Sequence, residues 1–186
     1  MRLFTGLSFP QPVLETLTQV LDGLRPVARL NWSPPKNLHV TLKFIGSWAD
    51  ERLPELRETL SAIPKPGSFA VEISRFGFFP NPNLPNHFFA GVHAGTELGA
   101  LAHSIDEALA TLGCPREPRP YTPHLTLARI KGEDIRSLRE HIASMINLHF
   151  GTFEATDFHL YLSRPGSRGS AYTILSSFPL AAGAAA

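Results

Sequence analysis

The sequence predicts an α+β protein, with helices interleaved among the strands of a mixed or antiparallel sheet. Three observations predict it. Segments with apolar residues at helical spacing alternate along the chain with segments of period two. Several strand segments follow one another with no helix between them, which parallel neighbours would need. The second half of the chain repeats the elements of the first in coarse form, without the close self-similarity of a repeat array.

The elements follow in order. Met1–Pro10 reads as a first strand, with Leu3, Thr5, Leu7 and Phe9 on one face. Val13, Leu14, Leu17, Val20, Leu21 and Leu24 recur at helical spacing over residues 12–25, and Pro12 suits the first helical turn, where its missing N–H costs nothing. Leu38–Phe44 alternates strictly, with Leu38, Val40, Leu42 and Phe44 assigned to the core. Asp50 is the expected N-cap of a helix near 51–62 that buries Leu53, Leu56 and Leu60. Two strands are expected at 69–76 and 87–94, joined by an exposed connection rich in proline and asparagine. Leu98, Leu101, Ile105, Ala108, Leu109 and Leu112 mark a helix that stops at Gly113. Four prolines crowd the approach to the strand His124–Ala128, a helix follows with Ile135, Leu138, Ile142 and Met145 as its stripe, and strands near 150–163 and 170–178 close the chain. The Ala-rich stretch 181–186 is expected to be a disordered tail.

Composition narrows the function classes. The chain has 186 residues, 43% of them hydrophobic, which suits one domain with a substantial core. Its 17 basic and 16 acidic residues leave a net charge of +1, too little excess for a protein that coats long nucleic acid. A nucleic-acid partner would be met at a point. The single cysteine, Cys114, removes disulfide frameworks and thiolate zinc sites, and it fits a reducing, cytoplasmic location. No apolar run is long enough for a membrane span, no secretion signal opens the chain, and no heptad asks for a dimer, so a monomer is expected.

One feature rises above this background. His39-Val40-Thr41-Leu42 and His124-Leu125-Thr126-Leu127 share the pattern His, apolar, Thr, apolar, almost half the chain apart. One His-x-Thr is expected by chance roughly 0.5 times, but two with both flanking residues apolar well under 0.01 times. On a strand, His39 stands beside Thr41 and His124 beside Thr126, each pair backed by buried leucine or valine. Histidine titrates near neutrality, so one can hold a proton while the other accepts one. Threonine hydroxyls can hydrogen-bond phosphoryl oxygens. The set suits opening of a phosphodiester without a metal or other cofactor. The remaining histidines are scattered, and no His-Glu-x-x-His, phosphate-binding glycine loop or nucleophile elbow is present.

At these residues the sequence resembles the 2H phosphoesterases, and within them the RNA 2′,3′-cyclic phosphodiesterases (the ThpR/LigT, 2′-5′ RNA ligase-like branch). The resemblance rests on Met1–Phe4, on Asn37–Gly46, on Arg119–Arg129, and on Phe158–Ser163 with Tyr172–Leu175. It implies a bilobal, pseudo-symmetric fold over residues 1–180, with both motif strands facing a central cleft and helices outside. It implies that His39 donates a proton to the leaving ribose oxygen, that His124 accepts one from water, and that Thr41 and Thr126 hold the phosphate. It also implies an RNA end with a 2′,3′-cyclic phosphate as substrate and a 2′-phosphate as product. Arg129 is similar to a substrate-contacting arginine, yet strict alternation puts it beside Leu125 and Leu127, so that role requires the strand to end or bulge. Lys43 falls on the His39 face by alternation, either near substrate or as a solvated strand end. Tyr121 or Phe4 would stack on a terminal base. Two departures from the family bear on base recognition: Gly166-Ser167-Arg168-Gly169-Ser170 stands in place of a Gly-Pro hairpin, and Thr5 where some relatives are aromatic. Ligation or cleavage of 2′-5′ linkages at the same site, and non-catalytic binding of an RNA end, are the competing expectations.

Overall fold

The computed structural model describes residues 1–166 and 169–181. Its strands are β1 (Arg2–Leu7), β2 (Asn31–Trp32), β3 (Val40–Ser47), β4 (Phe69–Phe79), β5 (His87–Ala94), β6 (His124–Arg129), β7 (His149–Ala155), β8 (Asp157–Arg164) and β9 (Ala171–Pro179). Its helices are α1 (Gln11–Leu24), α2 (Leu53–Ala62), α3 (Thr96–Ala110) and α4 (Arg136–Ser144). The strands form a four-stranded sheet in the order β3-β1-β8-β9 and a five-stranded sheet in the order β2-β6-β5-β4-β7. Every pairing between named strands is antiparallel, which resolves the expected mixed-or-antiparallel choice.

Helix α1 buries Val13, Leu17, Leu21 and Leu24 along one stripe, and its Val13 packs against Gly151 of β7, in the five-stranded sheet. Helices α2 and α3 pack against β9 and β3 of the other sheet. Helix α3 stops as expected: Gly113 takes φ +89°, and the Cys114 and Gly113 N–H groups reach back to the Leu109 and Ala110 carbonyls at 3.1 Å each. Buried apolar residues from both sheets and all four helices form one contiguous cluster, with Leu17, Leu56, Leu101 and Leu138 each fully enclosed. The chain crosses between the sheets repeatedly, so neither lobe is a continuous stretch of sequence.

Several expectations require correction. Asp50 does not cap α2; its carboxylate accepts a hydrogen bond from the Met1 ammonium at 3.1 Å, and α2 begins three residues later, after a 3₁₀ turn. Strand β4 runs three residues further than the 69–76 expected, and the short β2, which covers the edge of β6, was not anticipated. The stretch 150–163 is two strands belonging to different sheets: β7 pairs with β4, whereas β8 pairs with β1 and β9. Phe4 is 3% exposed and stacked on Tyr161 at 4.8 Å, so it is wall rather than a free stacking surface. Of the Ala-rich stretch, Ala181 is held by the Pro66 carbonyl at 2.9 Å; residues 182–186, like Ser167 and Arg168 of the hairpin, lie outside the described residues.

Candidate active site

His39 lies immediately before β3. Its Nδ1–H donates to the Asn37 carbonyl at 2.6 Å, which leaves Nε2 facing the Thr41 hydroxyl at 3.0 Å. Phe4 packs on the ring at 4.7 Å, and Tyr172 meets it edge-on at 5.2 Å. Burial lowers the His39 pKa below its ordinary 6.5; the Asn37 carbonyl pulls upward, and the nearby His124 pushes further down. His124 repeats the arrangement at the start of β6. Its Nδ1–H donates to the Thr122 carbonyl at 2.9 Å, which orients Nε2 as the free ring nitrogen. Each imidazole is thus held in one tautomer by the backbone carbonyl two residues before it. Phe79 and Phe89 meet His124 edge-on at 5.2 and 5.8 Å.

The two motif strands sit in different sheets but lie against one another. Tyr121 ties them: its hydroxyl donates to the Thr41 carbonyl at 2.9 Å, and burial raises its phenol well above the usual range. That contact departs from the expected stacking role. Thr126 is half-buried, with its carbonyl accepting from the Ser33 hydroxyl at 3.0 Å.

A bulge follows the threonine in both motifs, and it decides which side chains share the site. On β6, Thr126 pairs with Phe89 but Ala128 with Phe88, so Leu127 is the extra residue. Cross-strand partners share a face, and His87, Phe89 and Gly91 lie on one face of β5. Their partners Arg129, Thr126 and His124 therefore lie on one face of β6. The bulge on which the Arg129 reading depended is present. On β3, Gly6 pairs with Thr41 and Thr5 with Lys43, so Leu42 is the extra residue. Phe4 pairs with Phe44 and shares a face of β1 with Gly6, which puts Phe44 beside Thr41 and turns Lys43 away.

Both assignments made from strict alternation are therefore reversed here. Phe44, expected in the core, is 71% exposed on the His39 side. Lys43 is buried against α3, ion-paired with Asp106 and donating to the Pro115 carbonyl at 2.6 Å, rather than lining the site or ending the strand in solvent.

The sequence reading missed the aromatic walls. Phe79 stacks on Phe89 at 4.5 Å, and the Phe89 ring lies directly over Gly77, where a Cβ would come within 2.2 Å of it. His87 pairs in register with Arg129, and burial, Arg129 and His124 all lower its pKa. No local motif marks these residues; only the pairing of β4, β5 and β6 brings them to the histidine.

Two antiparallel sheets, each delivering a His-x-Thr strand to a common face, define a two-histidine phosphoesterase fold. The sequence matches the family model described as LigT-like phosphoesterase over residues 7–89 and 92–172, and the chain belongs to that family. It is 32% identical to the RNA 2′,3′-cyclic phosphodiesterase of Archaeoglobus fulgidus over 96% of this chain and 99% of that one. It is 31% identical to the protein of the same name from Methanocaldococcus jannaschii, over 96% of this chain and 100% of that one. Among solved structures, one from Thermus thermophilus superposes with a TM-score of 0.82 at 28% identity, covering 99% of this chain and 100% of that one. E. coli LigT complexed with 3′-AMP shares the fold, with a TM-score of 0.78 at 23% identity over 97% and 98% of the two chains.

Proposed function

We propose that this protein hydrolyses RNA ends that carry a 2′,3′-cyclic phosphate, leaving a 2′-phosphate. The observation that carries the reading is the matched pair of imidazoles, each tautomer-locked by a carbonyl two residues back and each beside a threonine. Family membership and the near full-length likeness to proteins of that name support it. In the reaction, water attacks phosphorus while His124 Nε2 takes its proton. The bond from phosphorus to the 3′ oxygen breaks, and His39 Nε2–H protonates that oxygen as it leaves. The Thr41 and Thr126 hydroxyls donate to the non-bridging oxygens, and the Arg129 guanidinium, on the same face as His124, offsets their charge. Tyr121 acts at one remove, tying the approach to β6 onto β3. No step requires a metal ion. The reading takes the protein as a cytoplasmic monomer, with Cys114 a buried free thiol.

The test is hydrolysis of a short RNA ending in 2′,3′-cyclic phosphate, in EDTA, by wild type and by His39→Ala and His124→Ala. Conversion to the 2′-phosphate should fall on the order of 10²–10⁴-fold in each variant. Loss of wild-type turnover in EDTA, or a variant that retains full rate, would overturn the two-histidine reading.

A further inference from the structure

We infer that the RNA chain 5′ to the cyclic phosphate leaves the cleft over β9, and that Arg57 and Lys65, beyond that strand, hold a phosphate of its backbone. The inference rests on the proposed reaction and names its substrate class: the end of an oligonucleotide rather than a free nucleoside cyclic phosphate.

His39 protonates the 3′ oxygen of the terminal ribose, so the rest of an RNA must leave the cleft across one of its walls. Tyr172 and Ile174 of β9 line the cavity of about 280 Å³ beside His39. Strand β9 is the last of its sheet, so this wall ends at a sheet edge. A second groove, of about 400 Å³, lies where α2 meets β9, with Arg57, Ser61, Lys65, Ser176 and Ser177 in its lining. The two adjoin along one strand: Ile174 belongs to the first and Ser176 to the second. A register shift sits between them. Tyr161 pairs with Ile174 but Leu160 with Ser176, so Leu175 is an extra residue. Its carbonyl accepts from Arg57 Nη2 at 3.1 Å, and Arg57 Nε donates to the Ser176 hydroxyl at 2.8 Å. The guanidinium is thereby pinned to the edge strand, one residue from the wall of the catalytic cavity.

The groove keeps its positive charge. Ser176 and Leu175 take hydrogen bonds from Nε and Nη2 of Arg57, which leaves Nη1 to donate to a ligand. Lys65 Nζ donates to the Ser61 carbonyl in the last turn of α2, which offsets the negative end of that helix. Among the described residues neither cation is ion-paired with a carboxylate, and Glu58, next to Arg57 in sequence, pairs with neither. Arg52, earlier in the same segment, is by contrast paired with Glu55 at 2.8 Å. Two cations with serine hydroxyls around them suit an anion rich in acceptor oxygens. Beside a cleft for RNA ends, that anion is a backbone phosphodiester. One such contact agrees with a net charge of +1, which suits a chain held at one or two phosphates rather than along its length.

The experiment compares two trinucleotides ending in the same 2′,3′-cyclic phosphate, one with ordinary upstream linkages and one with neutral methylphosphonates. Wild type should hydrolyse the charged one with kcat/KM about 10-fold above the neutral one, the value of one charge-assisted phosphate contact. That advantage should shrink as salt rises, by about 0.7 log units per log unit of salt. It should shrink in Arg57→Gln and in Lys65→Gln, and in the double variant the ratio should be about 1. Hydrolysis of a nucleoside cyclic phosphate, which cannot reach the groove, should stay within about twofold of wild type in all three variants. The ratio is taken within each protein, so a loss of folded fraction cancels from it. Lys65→Gln also leaves the Arg57 bonds to β9 in place. Calorimetric titration with the corresponding 2′-phosphate trinucleotides reads the contact without turnover, and wild type should bind the charged one more tightly. A wild-type ratio of about 1, or a ratio unchanged in the double variant, would overturn the inference. Absence of turnover on every cyclic phosphate would instead count against the proposed reaction, with the titration still deciding the backbone contact.

Discussion

His39 is the proposed acid, yet its environment disfavours the protonated form: burial first, then repulsion from His124, set its pKa below 6.5. The conflict resolves if substrate completes the site, since a bound phosphate anion beside Nε2 favours the imidazolium. The sign follows. An acid must be protonated to act, so kcat/KM, which reports the free enzyme, should decline as pH rises through that lowered pKa. The corresponding limb of kcat, which reports the complex, should lie at higher pH. A pH series of both constants checks this, and superimposed limbs would remove the phosphate from the account. Lys43 poses the opposite case. Its ammonium is 7% exposed and paired with Asp106, so Lys43→Met, which strands the carboxylate, should destabilise by about 3–5 kcal/mol. Denaturant unfolding measures that loss. The folded fraction should keep its turnover, which a substrate-binding lysine would not allow.

At the scale of elements, the bulges at Leu42 and Leu127 carry more than any single side chain. Each adds one residue after the threonine and so changes which face the rest of the strand presents. Without them Arg129 would point into the core and Phe44 would be buried. Alternation placed His39, Thr41, His124 and Thr126 correctly because the motifs end before the bulge. It failed for Lys43 and Phe44 because they come after it. An extra residue in a strand leaves no compositional mark, since Leu42 and Leu127 are buried leucines like those of any regular strand. Gly77 offers a test at this scale. Gly77→Ala would put a methyl into the Phe89 ring, whose half-exposed position lets it swing aside. The melting temperature should change little, while kcat falls several-fold as His124 loses the edge of Phe89. An unchanged kcat would separate that aromatic wall from the chemistry.

Across the whole molecule, three histidines are held with lowered pKa values, with burial the largest cause for each: His39, His87 and His159. His159 is the most enclosed of them by surface exposure, at 6%, with Ser8 and Ser177 hydroxyls on its two nitrogens at 2.9 and 2.8 Å. The unfolded chain takes up protons near 6.5 that the folded one refuses, so these groups contribute stability above that pH and lose it as pH falls. The thermal midpoint should therefore drop between about pH 7 and about pH 5. His159→Gln, which keeps hydrogen-bonding capacity without titrating, should flatten the slope. A slope unchanged in that variant would remove His159 from the account and leave the pH dependence to His39, His87 and the carboxylates.

The periodicity of α1 and α3, the alternation of the motif strands, and the two His-x-Thr patterns were all legible in the sequence, because each is set by residues within a few positions of one another. The α+β class followed from them, and the resemblance carried by the motif blocks implied the cleft. What required the tertiary structure depends on contacts between distant segments. The two sheets exchange strands, so the break at Thr156 that sends β7 and β8 to different lobes is invisible to local pattern. The tautomers of His39 and His124 are held by backbone carbonyls, which every residue possesses and no composition reveals. Lys43 found Asp106 only when β3 and α3 packed together. Local sequence determines which face a side chain takes until the register slips; after that, the neighbouring strand decides.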